Sequence, residues 1–163
     1  MDFEKLLELA PYSLKRDEKE KVLTKRLLEL TEKHKKNCQM YEQMLKAVSY
    51  DLKKITSYKE IPFLPVRLFK ELELKSISQD NIVKTMTSSG TTGQAVSKIY
   101  LDKRTSTNQQ KAMVKIVSDF TGSARMPMII LDCPSVIKNR QMFSARGAGI
   151  LGFSIFGVKK IYV

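Results

Sequence analysis

The chain has 163 residues, 42% hydrophobic and 28% charged, with 29 Lys and Arg against 17 Asp and Glu for a formal net charge of +12. That length and balance suffice for a packed core and exclude general disorder. No apolar run approaches the roughly 18 residues of a membrane span, and the acidic, amphipathic start from Met1 to Ala10 is unlike a secretory leader, so a cytoplasmic location is expected.

The basic residues are scattered, with short clusters at Lys33 to Lys36, Lys53-Lys54 and Lys159-Lys160, and tryptophan is absent. A ribbon of cations interleaved with aromatics, which would stack nucleic-acid bases, is missing, so no nucleic-acid partner is expected. The same positive field favours phosphate-bearing substrates. Cys38 and Cys133 do not make a disulfide framework, and His34 with Cys38 lacks the further ligands that a metal site needs.

The first half reads as helical. Asp2 can cap a short helix whose apolar side is Phe3, Leu6, Leu7 and Leu9, and Pro11 ends it. Ser13 or Asp17 opens a longer helix to about Lys36, with Val22, Leu23, Arg26, Leu27 and Leu30 at amphipathic spacing. Asn37 marks a break; Tyr41, Met44, Leu45 and Val48 then repeat the helical period, closed at Ser49 to Asp51, and Lys53 to Glu60 is polar connection. In the run Ile61 to Lys70, Pro62 and Pro65 force extended geometry at Ile61 and Leu64, a stiff apolar segment expected to pack across a core. A helical turn at Val66 to Glu71 and an extended piece from Leu72 to Ile77 follow.

Ile82 to Met86 and Val96 to Leu101 read as strands rich in β-branched and aromatic residues. Between them lies Thr87-Ser88-Ser89-Gly90-Thr91-Thr92-Gly93-Gln94. Gly90 and Gly93 permit positive φ and close approach of backbone to a ligand, and the five hydroxyls add donors, so the stretch can cradle an anion. It lacks the Gly-Lys-Ser/Thr of a Walker loop and the Gly-x-Gly-x-x-Gly of a dinucleotide fold. Composition alone fits a solvated connection equally well.

Asp102 or Thr105 then caps a helix over about Ser106 to Phe120, with Met113, Val114, Ile116 and Val117 as its buried side and Gly122 as its stop. Met126 to Asp132 is nearly all apolar and reads as a central strand covered on both faces. Its end, Asp132-Cys133-Pro134, lies where open α/β sheets place ligand-contacting groups. Ser144 to Leu151 reads as a helix that tolerates Gly147 and Gly149 because something packs closely on it, and Arg146 there is either a functional cation or half of an ion pair. Lys159 to Val163 begins another strand.

The loop with its flanks, Ser88 to Gln94 and Ser97-Lys98-Ile99-Tyr100-Leu101-Asp102-Lys103, resembles the phosphate-binding region of the adenylate-forming superfamily. Adding Ile61 to Lys70, Leu74-Lys75-Ser76 and Ser144-Ala145-Arg146-Gly147-Ala148-Gly149, nearly the whole chain is similar to the LuxE-type acyl-protein synthetase branch. The fold class expected is α/β, with a helical N-terminal segment over 1–75 and the first part of an adenylate-forming α/β domain over 76–163.

The resemblance implies attack of a fatty or other carboxylic acid on the α-phosphate of ATP with Mg2+, then passage of the acyl group to a cysteine of the synthetase and on to an acyl-reductase or other acceptor protein. It assigns the triphosphate grip to Thr87, Ser88, Ser89, Gly90, Thr91, Thr92, Gly93 and Gln94, with no metal ligand and no catalytic residue in this chain. The adenine and ribose motifs, the mobile subdomain with its lysine and the late acyl-accepting cysteine have no counterpart here, and Cys38 and Cys133 lie in the wrong part of the chain for that acceptor. The polypeptide is therefore expected to be an N-terminal portion that does not turn over alone. An acyl-CoA or aryl-CoA ligase is the enzymatic alternative, and a noncatalytic basic adaptor that binds an anion or partner is the other; oligomeric state is left open.

Overall fold

A computed structural model describes residues 3–88, 96–138 and 142–163. The chain divides into two compact units, Met1–Ser78 and Gln79–Val163.

The first unit is helical: α1 (Phe3–Glu8), α2 (Arg16–Asn37), α3 (Gln39–Ala47) and the short α4 (Leu68–Glu71), with 3-10 turns at Leu52–Lys54 and Tyr58–Glu60. Two helices form from one periodic run because Cys38 leaves helical geometry at φ −138°, its N–H closing α2 on the His34 carbonyl at 2.9 Å. Leu45 of α3, 2% exposed, is the most buried large side chain, with Cys38 and Thr31 buried as well. The Thr31 hydroxyl is satisfied by donating to the Leu27 carbonyl at 2.8 Å.

One face of α2 organises this unit through polar groups. Tyr58 N–H donates to Thr24 Oγ1 at 3.0 Å, Ser57 Oγ donates to Glu20 Oε1 at 2.9 Å, and His34 Nδ1 lies 2.8 Å from Ser76 Oγ. Residues 20, 24, 27, 31 and 34 recur at helical spacing, so the turn at Tyr58–Glu60 and the strand-like piece around Ser76 dock along a single stripe. Leu23, expected on the apolar side, is instead exposed.

The His34 pKa lies below the ordinary 6.5 because of desolvation first and Lys33 second. A base whose folded pKa is depressed contributes stability that is present above its unfolded pKa and lost as pH falls below it. Urea midpoints are therefore expected to drop between pH 7.5 and 5.5, by less in His34→Asn; equal drops in both proteins would remove His34 as the cause.

The Ile61 to Phe69 segment corrects an expectation. Phe63 is 88% exposed and Val66 72%. Ile61 and Leu64 are half-buried while Phe63 between them faces solvent, so the stiff segment covers only part of its apolar surface.

The second unit holds two small sheets. In the first, β1 (Lys84–Thr87) lies between β2 (Lys98–Leu101), antiparallel to it, and β4 (Met142–Ser144), parallel to it. In the second, β3 (Met126–Ile130) runs parallel to β5 (Gly157–Tyr162). The helices are α5 (Lys103–Thr121) and α6 (Ala145–Phe153). Helices combined with these sheets are compatible with the α/β class.

Asp102 starts α5 by accepting the Thr105 N–H at 2.7 Å, and Gly122 ends it at φ 75° and ψ 179°. That backbone region is open essentially to glycine alone. Gly122→Ala is expected to cost about 1–3 kcal/mol of unfolding free energy, measurable by urea titration; an unchanged midpoint would contradict the strain.

Three expectations change here. The Met126 to Asp132 stretch is not a central strand among the described residues: it pairs with β5, and Ile130 is buried while Ile129 and Leu131 are 67% and 84% exposed. Alternation along the strand puts Met128 and Ile130 on one side and Ile129 and Leu131 on the other, and only the first side is covered. On α5, Ile116 is 44% exposed, not part of the buried side. At Gly149 the expected close packing is missing, a Cβ there meeting nothing within 4 Å, whereas at Gly152 it would come within 3.3 Å of Met113 Sδ and at Gly157 within 3.2 Å of Met128 Cβ.

Candidate functional site at the carboxyl ends of β1, β3 and β4

The candidate loop emerges from β1. Thr87 ends that strand, paired with Lys98 of β2 and with Ser144 of β4. One step further, Ser88 and Ser97 close the neck: Ser88 N–H donates to the Ser97 carbonyl at 3.1 Å, and Ser97 N–H donates to Ser88 Oγ at 2.9 Å. The two flanking strands thus form the expected hairpin, and the segment between them is pinned at its base. Of the eight residues assigned to the phosphate grip, Thr87 and Ser88 are described; Ser89, Gly90, Thr91, Thr92, Gly93 and Gln94 lie outside the described residues.

Ser88 Oγ spends lone-pair capacity on the Ser97 N–H, which leaves its O–H proton to donate. Ser97 adds a group that composition did not single out. It is 7% exposed and its hydroxyl has no hydrogen-bond partner among the described residues. A buried, unsatisfied hydroxyl costs about 1–3 kcal/mol, and such a donor at the base of a loop suits an anion that would satisfy it. The only hint in the sequence was the Ser-Lys-Ile-Tyr-Leu run, where Ser97 begins the strand.

The parallel pairing of β1 with β4 brings α6 to the same edge, because α6 starts at Ala145 directly after Ser144. Arg146 Nε lies 3.1 Å from Asp132 Oδ2, just past the end of β3. Asp132 Oδ1 accepts the Cys133 N–H at 2.8 Å. The two open readings of Arg146 therefore resolve in part: the ion pair exists, with the arginine side chain 71% exposed and the aspartate 15%. Register joins the ends of β1 and β4, and the Asp132–Arg146 pair ties the end of β3 to α6. The strand-end position of Asp132-Cys133-Pro134, legible beforehand, is where open α/β sheets bind ligands.

Cys133 is exposed, with Sγ 2.9 Å from Ser135 Oγ, while Cys38 is buried in the helical unit. No group of three or more His, Cys, Asp or Glu that could hold a metal occurs among the described residues. Magnesium held chiefly by nucleotide phosphates and water does not require such a cage. The hydroxyls of Ser88 and Ser97 are donors of the kind a phosphate oxygen accepts from. No helix among the described residues is long and apolar enough to cross a membrane.

A long-chain-fatty-acid–luciferin-component ligase of Photorhabdus luminescens is 36% identical over 77 residues, which make up 47% of this chain and 66% of that relative, just under two thirds of its length. No solved structure matches. The acyl-protein synthetase, LuxE, family matches residues 2–163. With a match across essentially its whole length, the chain belongs to the acyl-protein synthetase (LuxE) family.

Proposed function

We propose that this chain contributes the nucleotide-phosphate grip of a ligase that activates a fatty acid with ATP and passes the acyl group to a protein thiol. The observation that carries the reading is the family match over residues 2–163, together with a hydroxyl- and glycine-rich loop anchored by Ser88 and Ser97. The fatty-acid substrate follows the named activity of the Photorhabdus relative.

In the first step a carboxylate oxygen bonds to the α-phosphorus of ATP, the bond to the bridging oxygen breaks, and pyrophosphate leaves. The thiolate sulfur of the acceptor then bonds to the acyl carbon and AMP departs with the bonding pair. Phosphoryl chemistry asks little covalent work of a protein beyond positioning and charge stabilisation. Thr87, Ser88, Ser89, Gly90, Thr91, Thr92, Gly93 and Gln94 supply the backbone N–H and hydroxyl donors, and Mg2+ offsets phosphate charge when bound. Donors already in place when the charge develops are what give such a site its advantage over water.

The natural full-length protein, incubated with radiolabelled fatty acid and ATP, is expected to form AMP and to carry a hydroxylamine-labile acyl label without added CoA. Label appearing only on CoA would favour the acyl-CoA ligase alternative. Release of ADP in place of AMP would overturn adenylation altogether.

A further inference from the structure

The stiff segment between the 3-10 turn at Tyr58–Glu60 and α4 carries an apolar surface that the fold does not use. Phe63, Pro65 and Val66 are all exposed, while Ile61 and Leu64 are half-buried. One exposed apolar side chain needs no explanation, but three within four residues make a patch of the kind that marks interaction sites.

The backbone under this patch is held in polyproline II geometry. Pro62 and Pro65 fix their own φ near about −65° and keep Ile61 and Leu64 out of the α region. Ile61 lies at φ −72° and ψ 127°. The N–H groups of Phe63 and Leu64 donate to nothing among the described residues, as in a helix that has no internal hydrogen bonds. Phe63 and Val66 stand three apart, the repeat of that helix. The extended run ends where the Leu68 N–H closes a turn on the Pro65 carbonyl at 3.0 Å and α4 begins.

Charge narrows what can meet the patch. Arg67 and Lys70 follow it directly and both are exposed; Arg67 pairs with Glu71, and Lys70 makes no ion pair among the described residues. A second copy of the chain would bring another net +12 to the contact and be repelled, whereas an acidic surface is attracted.

We propose that residues 61–67 dock a protein partner that offers an aromatic-lined groove with an acidic rim. Such grooves read proline-bearing segments because a preformed polyproline II helix loses little conformational entropy on binding. Aromatic rings of the groove pack on Phe63, Pro65 and Val66, and carboxylates of the rim meet Arg67 and Lys70. The assignment is independent of the nucleotide reading, since it uses no residue of the loop.

A p-benzoylphenylalanine photocrosslinker in place of Phe63 of the natural full-length protein, irradiated in its native cells, tests the assignment. One protein is expected to be captured, through a peptide that carries aromatic residues together with Asp or Glu. That protein, once purified, is expected to bind the parent in calorimetry and to bind Phe63→Ala about tenfold more weakly or worse, as for the loss of a central apolar anchor. Phe63→Ala is expected to melt as the parent does; should it not, Val66→Ala takes its place with the same expectation. Lys70→Glu is expected to weaken binding severalfold and to flatten its salt dependence. Absence of a crosslink overturns the proposal, as does a crosslink to lipid, to a second copy, to the enzyme's own chain or through a peptide without that chemistry. Parental affinity of the purified partner for a folded Phe63→Ala, or for Val66→Ala in its place, overturns it too, and parental affinity and salt dependence in Lys70→Glu overturn the acidic rim.

Discussion

Replacing Ser89 and Thr92 together by alanine is expected to weaken Mg2+–ATP binding a hundredfold or more. Each hydroxyl donated to a charged phosphate oxygen is worth about 1.5–3 kcal/mol, and each factor of ten is about 1.4 kcal/mol, so two lost donors reach roughly 10²-fold at the low end. The substitution removes oxygen atoms and leaves Gly90 and Gly93 in place, so any backbone cradle survives. Isothermal titration at low salt measures the effect directly, with the melting temperature as a check on folding. Retained affinity within about twofold, well inside one tenfold step of 1.4 kcal/mol, would instead favour the noncatalytic adaptor, for which these hydroxyls have no assigned ligand.

Leu45→Ala is expected to be the most damaging core change in the helical unit. Leu45 is 2% exposed, on a nine-residue helix that packs against α2. Truncation removes its transfer free energy and leaves a cavity, together about 2–5 kcal/mol. That approaches the whole stability of a small unit, typically about 5–15 kcal/mol. Urea unfolding followed by far-UV circular dichroism reads the loss. Phe63→Ala is the matched control: at 88% exposure it is expected to stay within about 0.5 kcal/mol of the parent. A Leu45→Ala protein as stable as the Phe63→Ala protein would mean that the helical unit is held by its polar stripe and not by this core.

The polar stripe is a serious competitor. Glu20, Thr24 and His34 each receive a partner from a segment far along the chain, at 2.9, 3.0 and 2.8 Å. Hydrogen bonds of this kind contribute about 0.5–1.5 kcal/mol each, so together they rival one large apolar side chain. They also specify where the turn at Tyr58–Glu60 sits, because a hydroxyl accepts from a defined direction while an apolar contact slides.

Much of the local structure was legible from residue order. Asp102 before a helical run, Gly122 after it, and the Asn37-Cys38 break all act within a few residues, through caps and backbone geometry that neighbours alone dictate. The family was legible for a related reason: the hydroxyl- and glycine-rich loop and its flanking strands are contiguous, and the match over residues 2–163 bears that out. Burial was less legible. Phe63, Leu131 and Ile116 are apolar in the sequence and exposed in the fold, since hydropathy records what a side chain prefers and only the placement of other elements decides whether it is covered.

The grouping at the strand ends belongs wholly to tertiary structure. Thr87, Asp132 and Arg146 are far apart along the chain, and nothing local relates them. Parallel pairing of β1 with β4 and the 3.1 Å contact between Arg146 and Asp132 bring them to one edge, because strand register and helix packing act across long separations that periodicity cannot see. The sequence by itself determined the helices, the hairpin and the membership of the family; the tertiary structure decided that Arg146 is tied to Asp132 beside the loop base, and that Ser97 waits there with a buried hydroxyl.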